Sequence, residues 1–536
     1  MLKRQNANTA VLLAALVCAA VAVCSFQNIF NVDFWYHLAA GRWMTGHHAF
    51  TYTDPFSFTA AGTRWLNYEW LFQLVLYAVY SIGAIPAVVL FRGALLAVSA
   101  IGVFRLFPDK WPQGIRAALT LGVFAFVLNS RNMVRPELVS LALLPYFLSY
   151  YFRILSDGDF SLRTHRRTIA LYCALMILWV NCHGGFWLIL SLTPIAAIAW
   201  FQQKPYWREG VIRNPFILLG VVFGLLTMAT PYGWQMPAGT LKLLNLMTLD
   251  DGRGIGELLP TTLSGHAVFW SALAAAWLLC FIKTWRRKHA DFMDWGMLCY
   301  ATWFGGLFER NVPYAAMLFI PSAAKLAADL YEGEIKEKTA AIINGAAAVL
   351  CAGLIIFGAG RAAFSLAADR YPVKAAEFII THLPPTRGYN DQNLGSYLIW
   401  AFHGTRPVFL DSRMQQVAGY ADLIIKVGRT KDFAPYSLAE WNNLLSAYQA
   451  DWCLMEAPKH RVFFNGRPVS LFYYFFPQNS WALVYRDGMT ALYVRRTPAM
   501  ANVIKKYELQ GVYPDTDNAA APVTLPWAAL FAARGG

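Results

Sequence analysis

Long apolar segments recur along the first 358 residues, with short polar connections between them. A helix needs about 20 apolar residues to cross the hydrocarbon core of a bilayer. Segments near that length lie at approximately 9–30, 70–104, 115–130, 137–153, 168–181, 185–201, 215–231, 266–282, 294–308, 312–328 and 339–358. The pattern predicts an α-helical polytopic membrane protein with about eleven transmembrane helices.

The first two segments each need a closer reading. The segment 9–30 follows Lys3 and Arg4, as in a signal peptide, but it is longer than a usual signal core and no clear small-residue cleavage site follows it. We therefore expect a retained first helix. The segment 70–104 is long for one helix, and Gly83 and Pro86 are expected to divide it into an interfacial helix and a span. It then crosses the membrane once or three times.

Basic residues concentrate in every second connection, which orients the chain. The positive-inside rule places such connections in the cytoplasm. The basic connections are 105–116, 153–167, 202–213 and 283–288, and the poorer ones are near 129–136, 181–185, 232–264 and 309–311. When 70–104 is counted as one crossing, every connection is in register. The N-terminus is then cytoplasmic and the region after the last span is external.

Composition agrees with this class of protein. Only 14% of the residues are charged, against about 25% in a soluble protein. The formal net charge of +14 comes largely from the cytoplasmic connections, so we expect no nucleic-acid partner. The eight Cys include no CxxC pair and lie mostly within apolar segments, which indicates neither a zinc site nor a disulfide framework.

The chain changes character after residue 358, where no further 20-residue apolar segment occurs. Helix-like stretches at 373–383 and 394–402 alternate with strand-like stretches at 407–411, 451–456, 481–486 and 490–495. Asp487-Gly488 is a hairpin signal. We expect three parts: a transmembrane domain at 1–358 with its first external loop at 31–69, a soluble extracytoplasmic α/β domain at 359–500, and a loosely ordered tail at 501–536.

The first external loop carries the first candidate for chemistry. If residues 33–44 are helical, Asp33 and His37 lie one turn apart on the same face. A carboxylate and an imidazole in that arrangement act as a base and its partner or as two metal ligands. The alternative is an interfacial amphipathic helix in which Asp33 is only the N-cap.

Other polar residues lie at the external ends of the predicted helices. Arginine at that depth can hold a phosphate with two hydrogen bonds, and a carboxylate can take a proton from an acceptor. Each residue alone also has a structural explanation, such as a local salt bridge or a packed histidine. Arg131 belongs to this group, and the candidate substrate-binding residues are His37, Arg42, Glu69, Arg135, Glu137, Asn181, His183, Arg310 and Asn311.

These motifs together resemble a known superfamily of membrane enzymes. Asp33-Phe-Trp-Tyr-His37-Leu, followed by Asp54-Pro-Phe-Ser-Phe58, is similar to the first external loop of the GT-C glycosyltransferases. The fuller series resembles a group of bacterial membrane proteins expected to share that fold. It continues with Arg135-Pro-Glu137, Trp179-Val-Asn181-Cys-His183-Gly184, Arg310-Asn311 and Asn390-Asp391 through Phe409-Leu-Asp411-Ser-Arg413.

The resemblance implies a GT-C-like fold and a glycosyltransferase in the bacterial inner membrane. Its donor is a sugar on a polyprenyl phosphate, taken at the external face, and its acceptor is an envelope lipid, glycan or protein. Asp33 is then the catalytic carboxylate, as general base or metal ligand. Asp33 and His37 are spaced to bind a divalent metal ion, but the sequence assigns no third ligand. The W-W-D-Y-G signature is absent, which argues against peptide glycosylation of that type.

Two other functions remain open at this point. A transporter or flippase of lipid-linked sugars has internal repeats and charges at mid-span, and the sequence offers neither clearly. A non-catalytic envelope assembly protein keeps the fold without the reaction. The partners expected in all three cases are a polyprenyl-phosphate-linked sugar and membrane lipid. The sequence makes no prediction of an oligomeric state.

Overall fold

A computed structural model describes residues 2–156, 162–203, 214–241, 259–413, 438–456, 461–464, 467–470 and 476–509. Its helices are α1 (Leu2–Ser25), α2 (Asp33–His47), α3 (Trp70–Leu106), α4 (Gln113–Ser130), α5 (Glu137–Ser156), α6 (Leu162–Cys182), α7 (Trp187–Gln203), α8 (Pro215–Leu226), α9 (Ala267–Arg287), α10 (Phe292–Leu307), α11 (Val312–Leu330), α12 (Glu337–Arg361), α13 (Val373–His382), α14 (Gln392–Ala401), α15 (Leu438–Ala447) and α16 (Ala501–Tyr507). Its strands are β1 (Gly388–Asn390), β2 (Trp452–Glu456), β3 (Arg461–Phe464), β4 (Arg467–Ser470), β5 (Trp481–Arg486) and β6 (Thr490–Arg495).

Several of these helices are long and apolar enough to cross a membrane, so the chain is a multi-pass membrane protein. By length and composition, six helices within the described ranges qualify. They are Ala7–Ser25, Trp70–Leu106, Glu137–Ser156, Gly184–Gln203, Ala267–Arg287 and Glu337–Arg361. Each coincides with one of the predicted spans.

The predicted count of eleven spans is not confirmed. The other five predicted segments are also helical, as α4, α6, α8, α10 and α11, but they do not meet the same criterion of length and hydropathy. The physical reasons differ. Helix α6 begins with Arg163, Arg166 and Arg167, whereas α8 has only 12 residues and α10 has 16.

Helix α3 is interrupted where the sequence predicted. Gly83 and Ala84 have non-helical backbone angles, and Ala84 has φ 49°. Pro86 follows within the helix. A proline ring clashes with the carbonyl four residues earlier and has no N–H to donate, so the chain changes direction just before it.

Contact clustering divides the chain into two compact units. The first unit comprises Met1–Ile29 and Tyr68–Leu366, and the second comprises Phe30–Asn67 and Ala367–Gly536. Residues 30–67 thus cluster with the C-terminal region, whereas the sequence analysis assigned the first external loop to the transmembrane part. Hydropathy indicates where a loop begins, but it carries no information about which distant residues the loop packs against.

Close helix contacts in the first unit depend on glycine. A Cβ at Gly358 of α12 would lie 2.9 Å from the backbone nitrogen of Cys24 in α1. A Cβ at Gly102 of α3 would lie 2.7 Å from the ring of Pro145 in α5. Membrane helices associate through such close backbone approach, because lipid offers little hydrophobic driving force between them.

The second unit contains a mixed sheet with the strand order β1-β2-β6-β5. Strand β1 is parallel to β2, and the other neighbours are antiparallel. The predicted hairpin at Asp487-Gly488 joins β5 to β6, and Asp487 accepts the backbone N–H groups of Met489 and Thr490. The predicted strand at 407–411 is not a regular strand, and only Val408 forms an isolated bridge, to Ser57.

The described start of the predicted tail is ordered. Residues 501–507 form α16, and Val503 is buried. The expectation of a loosely ordered segment is therefore wrong for these residues, because the apolar side of this short helix packs on the core. Residues 510–536 lie outside the described residues.

Candidate functional site

Polar residues of the first unit gather where its helices end. Arg131 follows α4, and Glu137 is the first residue of α5. The Nη1 atom of Arg131 lies 3.6 Å from Oε2 of Glu137, and both side chains are almost fully buried. The hydroxyl of Tyr314, in α11, reaches the backbone carbonyl of Glu137 at 3.5 Å. Arg131, Glu137 and Tyr314 thus lie close together where α4 ends and where α5 and α11 begin.

A pocket of about 560 Å³ opens beside this ion pair. It lies between the end of α4, the residues at 264–269 and the segment 309–312, and both Arg131 and Arg310 line it. Arg310 has no carboxylate partner among the residues that the structure describes, whereas Glu309 lies 3.9 Å from Nε2 of His266. A pocket with one paired and one unpaired guanidinium is suited to an anion such as a phosphate.

His183 lies between α6 and a short 3₁₀ turn and is held by specific hydrogen bonds. Its Nδ1 accepts the backbone N–H of Gly185 at 3.1 Å and lies 2.6 Å from Oγ of Ser140. The pKa of the imidazole is lowered to about 4, chiefly by burial; Glu137 opposes this shift, and Arg310 and Arg131 contribute to it. His183 is therefore neutral at physiological pH.

Asn181 and Asn311 have amide groups that are used within the protein. Asn181 accepts the indole N–H of Trp70 at 2.8 Å and donates to the carbonyls of Ile177 and Ala229. Asn311 donates to the carbonyl of Phe304 at 2.8 Å. The geometry favours a structural role for Asn181, because a buried amide with satisfied partners has little left to offer a ligand. Asn311 uses one amide N–H within the protein.

Glu69 and Arg135 lie beside helix starts of the same unit. Glu69 is buried, and its carbonyl accepts the N–H of Gln73 in the first turn of α3. The carbonyl of Arg135 accepts the N–H of Leu138 where α5 opens. Both residues therefore lie at helix ends, as the sequence predicted.

Asp33 and His37 belong to the second unit, in α2. Asp33 is the first residue of α2 and is partly exposed. Burial raises the pKa of the Tyr371 hydroxyl, and the charge of Asp33 contributes to the same shift. His37 is only 1% exposed, and its ring centroid lies 4.0 Å from that of Tyr36. The helical spacing predicted from the sequence is present, but the two side chains differ in burial.

The described residues supply no further metal ligands beside Asp33 and His37. Within the described ranges, no group of three or more His, Cys, Asp or Glu side chains is placed to hold a metal ion. Arg42, further along α2, donates to Nδ1 of His403 at 2.9 Å and to the carbonyl of Trp400 at 2.8 Å. Its guanidinium also lies over the Trp400 ring, so it ties α2 to α14.

The Asp54 and Asp411 motifs meet in a buried ion cluster that the sequence analysis missed. Arg413 binds both oxygens of Asp411, at 2.8 and 2.7 Å, and Oδ1 of Asp54 at 2.8 Å. All three side chains are fully buried. Asp54 also accepts the N–H of Phe56 at 3.0 Å. These acidic residues hold the loop to the sheet domain. Their separation of about 350 residues along the chain hides this contact from any local sequence pattern.

Ser140 and Trp179 are further residues beside His183 that the sequence did not single out as partners. The indole N–H of Trp179 donates to Oγ of Ser140 at 2.6 Å. Their contact joins α5 to α6, and no local signal in either helix predicts it. The helical spacing from Glu137 to Ser140 would have placed Ser140 on the same side of α5.

Comparison with known proteins supports the fold expected from the sequence. No model of a known protein family matches the chain, and no curated protein matches it. The crystal structure of ArnT from Cupriavidus metallidurans in the apo state matches with a TM-score of 0.54 and 13% identity, over 92% of this chain and 98% of ArnT. A second ArnT structure, bound to undecaprenyl phosphate, has a TM-score of 0.49 and 13% identity over 91% and 98%. The chain therefore has the fold of ArnT, which confirms the predicted GT-C-like fold.

Proposed function

We propose that this protein is a glycosyltransferase that uses a polyprenyl-phosphate-linked sugar at the external face of the membrane. The observation that carries the proposal is the pocket lined by Arg131 and Arg310 in a chain with the fold of ArnT. The sugar is passed to an envelope lipid, glycan or protein. The predicted orientation, with a cytoplasmic N-terminus in a bacterial inner membrane, places the pocket on the external side.

The charges of the pocket suit the head group of such a donor. A lipid-linked sugar keeps its phosphate at the interface and its prenyl chain in the bilayer, so its enzyme needs cations at helix ends. Arg310 provides a guanidinium that has no carboxylate partner among the described residues, and Arg131 is paired with Glu137. The apolar helices of the same unit offer a hydrocarbon surface to the chain.

In the proposed reaction Asp33 acts as the general base. Its carboxylate takes the proton of an acceptor hydroxyl as the acceptor oxygen bonds to the anomeric carbon of the sugar. The bond from that carbon to the phosphate oxygen breaks, and the polyprenyl phosphate leaves. Glu137, His183 and Arg310 are proposed to contact the phosphate side of the donor, and Arg135 to support it.

The proposal is tested by replacing Asp33→Asn in protein reconstituted into proteoliposomes. Loss of a general base lowers the transfer rate by about 10²- to 10⁴-fold. Transfer of radiolabelled sugar and flipping of the lipid-linked sugar are measured in parallel. The matched control is Asp369→Asn. It changes an exposed carboxylate of the second unit, to which Asp33 also belongs, and within the described residues its only ion pair is a 3.9 Å contact with Arg370.

The outcomes separate the competing functions. We expect the rate of sugar transfer to fall in the Asp33 variant and to stay unchanged in the Asp369 variant. Flipping without transfer in the wild-type protein would favour a transporter. An assembly protein would be favoured if the protein shows neither transfer nor flipping, and if the Asp33 variant folds correctly and leaves the envelope unchanged.

A further inference from the structure

His266 lines the same pocket as Arg131 and Arg310. It is the N-cap residue of α9, but its side chain makes no capping hydrogen bond. The backbone holds it in place, because its N–H donates to the carbonyl of Thr262 at 3.1 Å and its carbonyl accepts the N–H of Trp270 at 3.1 Å. The imidazole is therefore not needed to begin the helix.

The ring of His266 has unused hydrogen-bonding capacity. Nδ1 is buried and has no hydrogen-bond partner among the residues that the structure describes. Nε2 lies 3.9 Å from Oε1 of Glu309, which is too long for a hydrogen bond. The side chain of His266 is 23% exposed and that of Glu309 is 41% exposed. Because Nδ1 is inaccessible, Nε2 is the ring nitrogen that can meet a ligand in the pocket.

The charges around this ring favour an anion, with one exception. Arg131 and Arg310 are positive, and α9 begins at the pocket without a side-chain cap. The N-terminus of a helix attracts negative charge. Glu309 also lines the pocket, and its carboxylate would repel an anion. A protonated imidazole balances that carboxylate, so His266 contributes to how much negative charge the pocket accepts.

The carrier phosphate gains charge during sugar transfer. In the donor it is a diester, with two terminal oxygens and one negative charge. When the bond to the anomeric carbon breaks, the electron pair stays on the phosphate oxygen. The released polyprenyl phosphate is a monoester with three terminal oxygens and a charge of about −1.5 to −2 at pH 7. Arg131, Arg310 and His266 are three separate donors for three such oxygens.

We infer that His266 binds the phosphate oxygen that leaves the sugar, and that it makes the pocket prefer a phosphate monoester to a phosphodiester. This role rests on the proposed function, because it assumes a polyprenyl-phosphate carrier. The Nε2 proton stays on the imidazole and is shared as a hydrogen bond, while the proton of the acceptor goes to Asp33. The hydrogen bond strengthens as charge develops on the leaving oxygen, so it lowers the barrier to transfer.

The experiment compares two lipids that differ only at the phosphate. Undecaprenyl phosphate is the monoester, and its methyl ester is a phosphodiester with the same chain. Binding of each lipid to the full-length protein is measured by native mass spectrometry at one fixed pH.

Three variants are compared with the wild type. His266→Phe keeps a planar ring and removes every donor, whereas His266→Gln retains a neutral N–H donor. The matched control is His289→Phe, because His289 is exposed just beyond the other end of α9 and does not line this pocket. No described hydrogen bond is lost with the ring of His266, so we expect its variants to unfold at the temperature of the wild type.

We expect His266→Phe to bind the monoester about 10- to 100-fold more weakly and the phosphodiester less than about 2-fold more weakly. His266→Gln should lie between His266→Phe and the wild type, and His289→Phe should match the wild type. Equal weakening of the two lipids in His266→Phe, or unchanged binding of the monoester, would overturn the inference.

Sugar transfer gives a second measurement. A residue that acts on the leaving oxygen affects the transition state more than the bound donor. We therefore expect His266→Phe to lower kcat about 10- to 100-fold and to leave the KM for the donor nearly unchanged. A raised KM with unchanged kcat would contradict a role at the leaving oxygen.

The failure of this inference can be told from that of the proposed function. If the wild type binds neither lipid, the proposed carrier is wrong and the inference fails with it. If the wild type transfers sugar but His266→Phe retains its preference for the monoester, only the inference is wrong. If the preference depends on His266 but the wild type transfers no sugar, the monoester site stands and the proposed reaction is wrong.

Discussion

Arg413, Asp411 and Asp54 form a fully buried charge cluster in the second unit. Burying an ion is costly unless its partners are close and well aligned, and here the guanidinium binds two carboxylates at 2.7–2.8 Å. It also lies 4.5 Å over the ring of Trp65. The cluster fixes the segment before α3 to the sheet domain, which explains the Asp54-Pro-Phe-Ser-Phe58 motif without catalysis.

Replacing Asp54→Asn tests this structural role. Removal of one charge leaves Arg413 with an incomplete set of buried partners, and breaking a buried pair costs about 3 to 5 kcal/mol. We expect a clearly lower Tm and faster proteolysis of residues 48–67. In Asp369→Asn, where the pair is exposed, Tm stays the same. Equal Tm values for the two variants would contradict the role.

The sequence predicted residue types at helix ends better than it predicted their contacts. Arg131, Glu137 and His183 were found because polar residues stand out at the ends of apolar segments. The roles of Asn181 and Arg42 were not predictable, since their partners are backbone carbonyls and rings far along the chain. The Asp33–His37 spacing follows from helical geometry, whereas the burial of His37 depends on residues that pack over α2.

Among the elements, α12 and α1 illustrate how glycine permits close packing. Gly358 of α12 lies against the backbone of Cys24, whereas a Cβ at Gly353 of the same helix would meet no atom within 4 Å. Both glycines have the same intrinsic helix propensity. The difference between them is therefore one of packing alone.

We expect Gly358→Ala to lower the Tm of the protein, because its methyl group would force α1 and α12 apart. Gly353→Ala is the matched control and should leave Tm unchanged or raise it slightly, since alanine favours the helix by about 1 kcal/mol. The two variants are compared by thermal unfolding in the same detergent. Equal Tm values would show that α1 and α12 do not pack as described.

Local pattern also explains which elements were predicted. Strands β2, β5 and β6 and the Asp487 turn follow from alternation and turn residues that lie close in sequence. Residues 407–411 look like a strand, but their partner is the distant Ser57, and they form a single bridge. The grouping of residues 30–67 with the C-terminal region likewise depends on contacts that no sequence window contains.

For the whole molecule, orientation is the property that the proposed function requires. The charge pattern predicts that the connection between α11 and α12 is cytoplasmic and that the region after α12 is external. Glu334 and Asp369 are exposed residues in these two regions. Cysteine at either position is therefore accessible from one side of the membrane.

We expect a membrane-impermeant maleimide to label Asp369→Cys in intact spheroplasts and to label Glu334→Cys only after lysis. The unsubstituted chain, with its eight native cysteines, supplies the background signal. Labelling of Glu334→Cys in intact spheroplasts would reverse the orientation, and the pocket would then face the cytoplasm.

The central claim is that the pocket lined by Arg131 and Arg310 binds the phosphate of a polyprenyl carrier. Binding of undecaprenyl phosphate by native mass spectrometry tests it most directly in the wild type, Arg310→Gln and Arg361→Gln. Arg361 is the last residue of α12, and its guanidinium lies over the ring of Phe357. Arg361→Gln therefore removes one positive charge, as Arg310→Gln does, but outside the pocket. We predict affinity about 10- to 100-fold weaker in Arg310→Gln and unchanged in Arg361→Gln. Equal affinity in the wild type and Arg310→Gln would contradict the account.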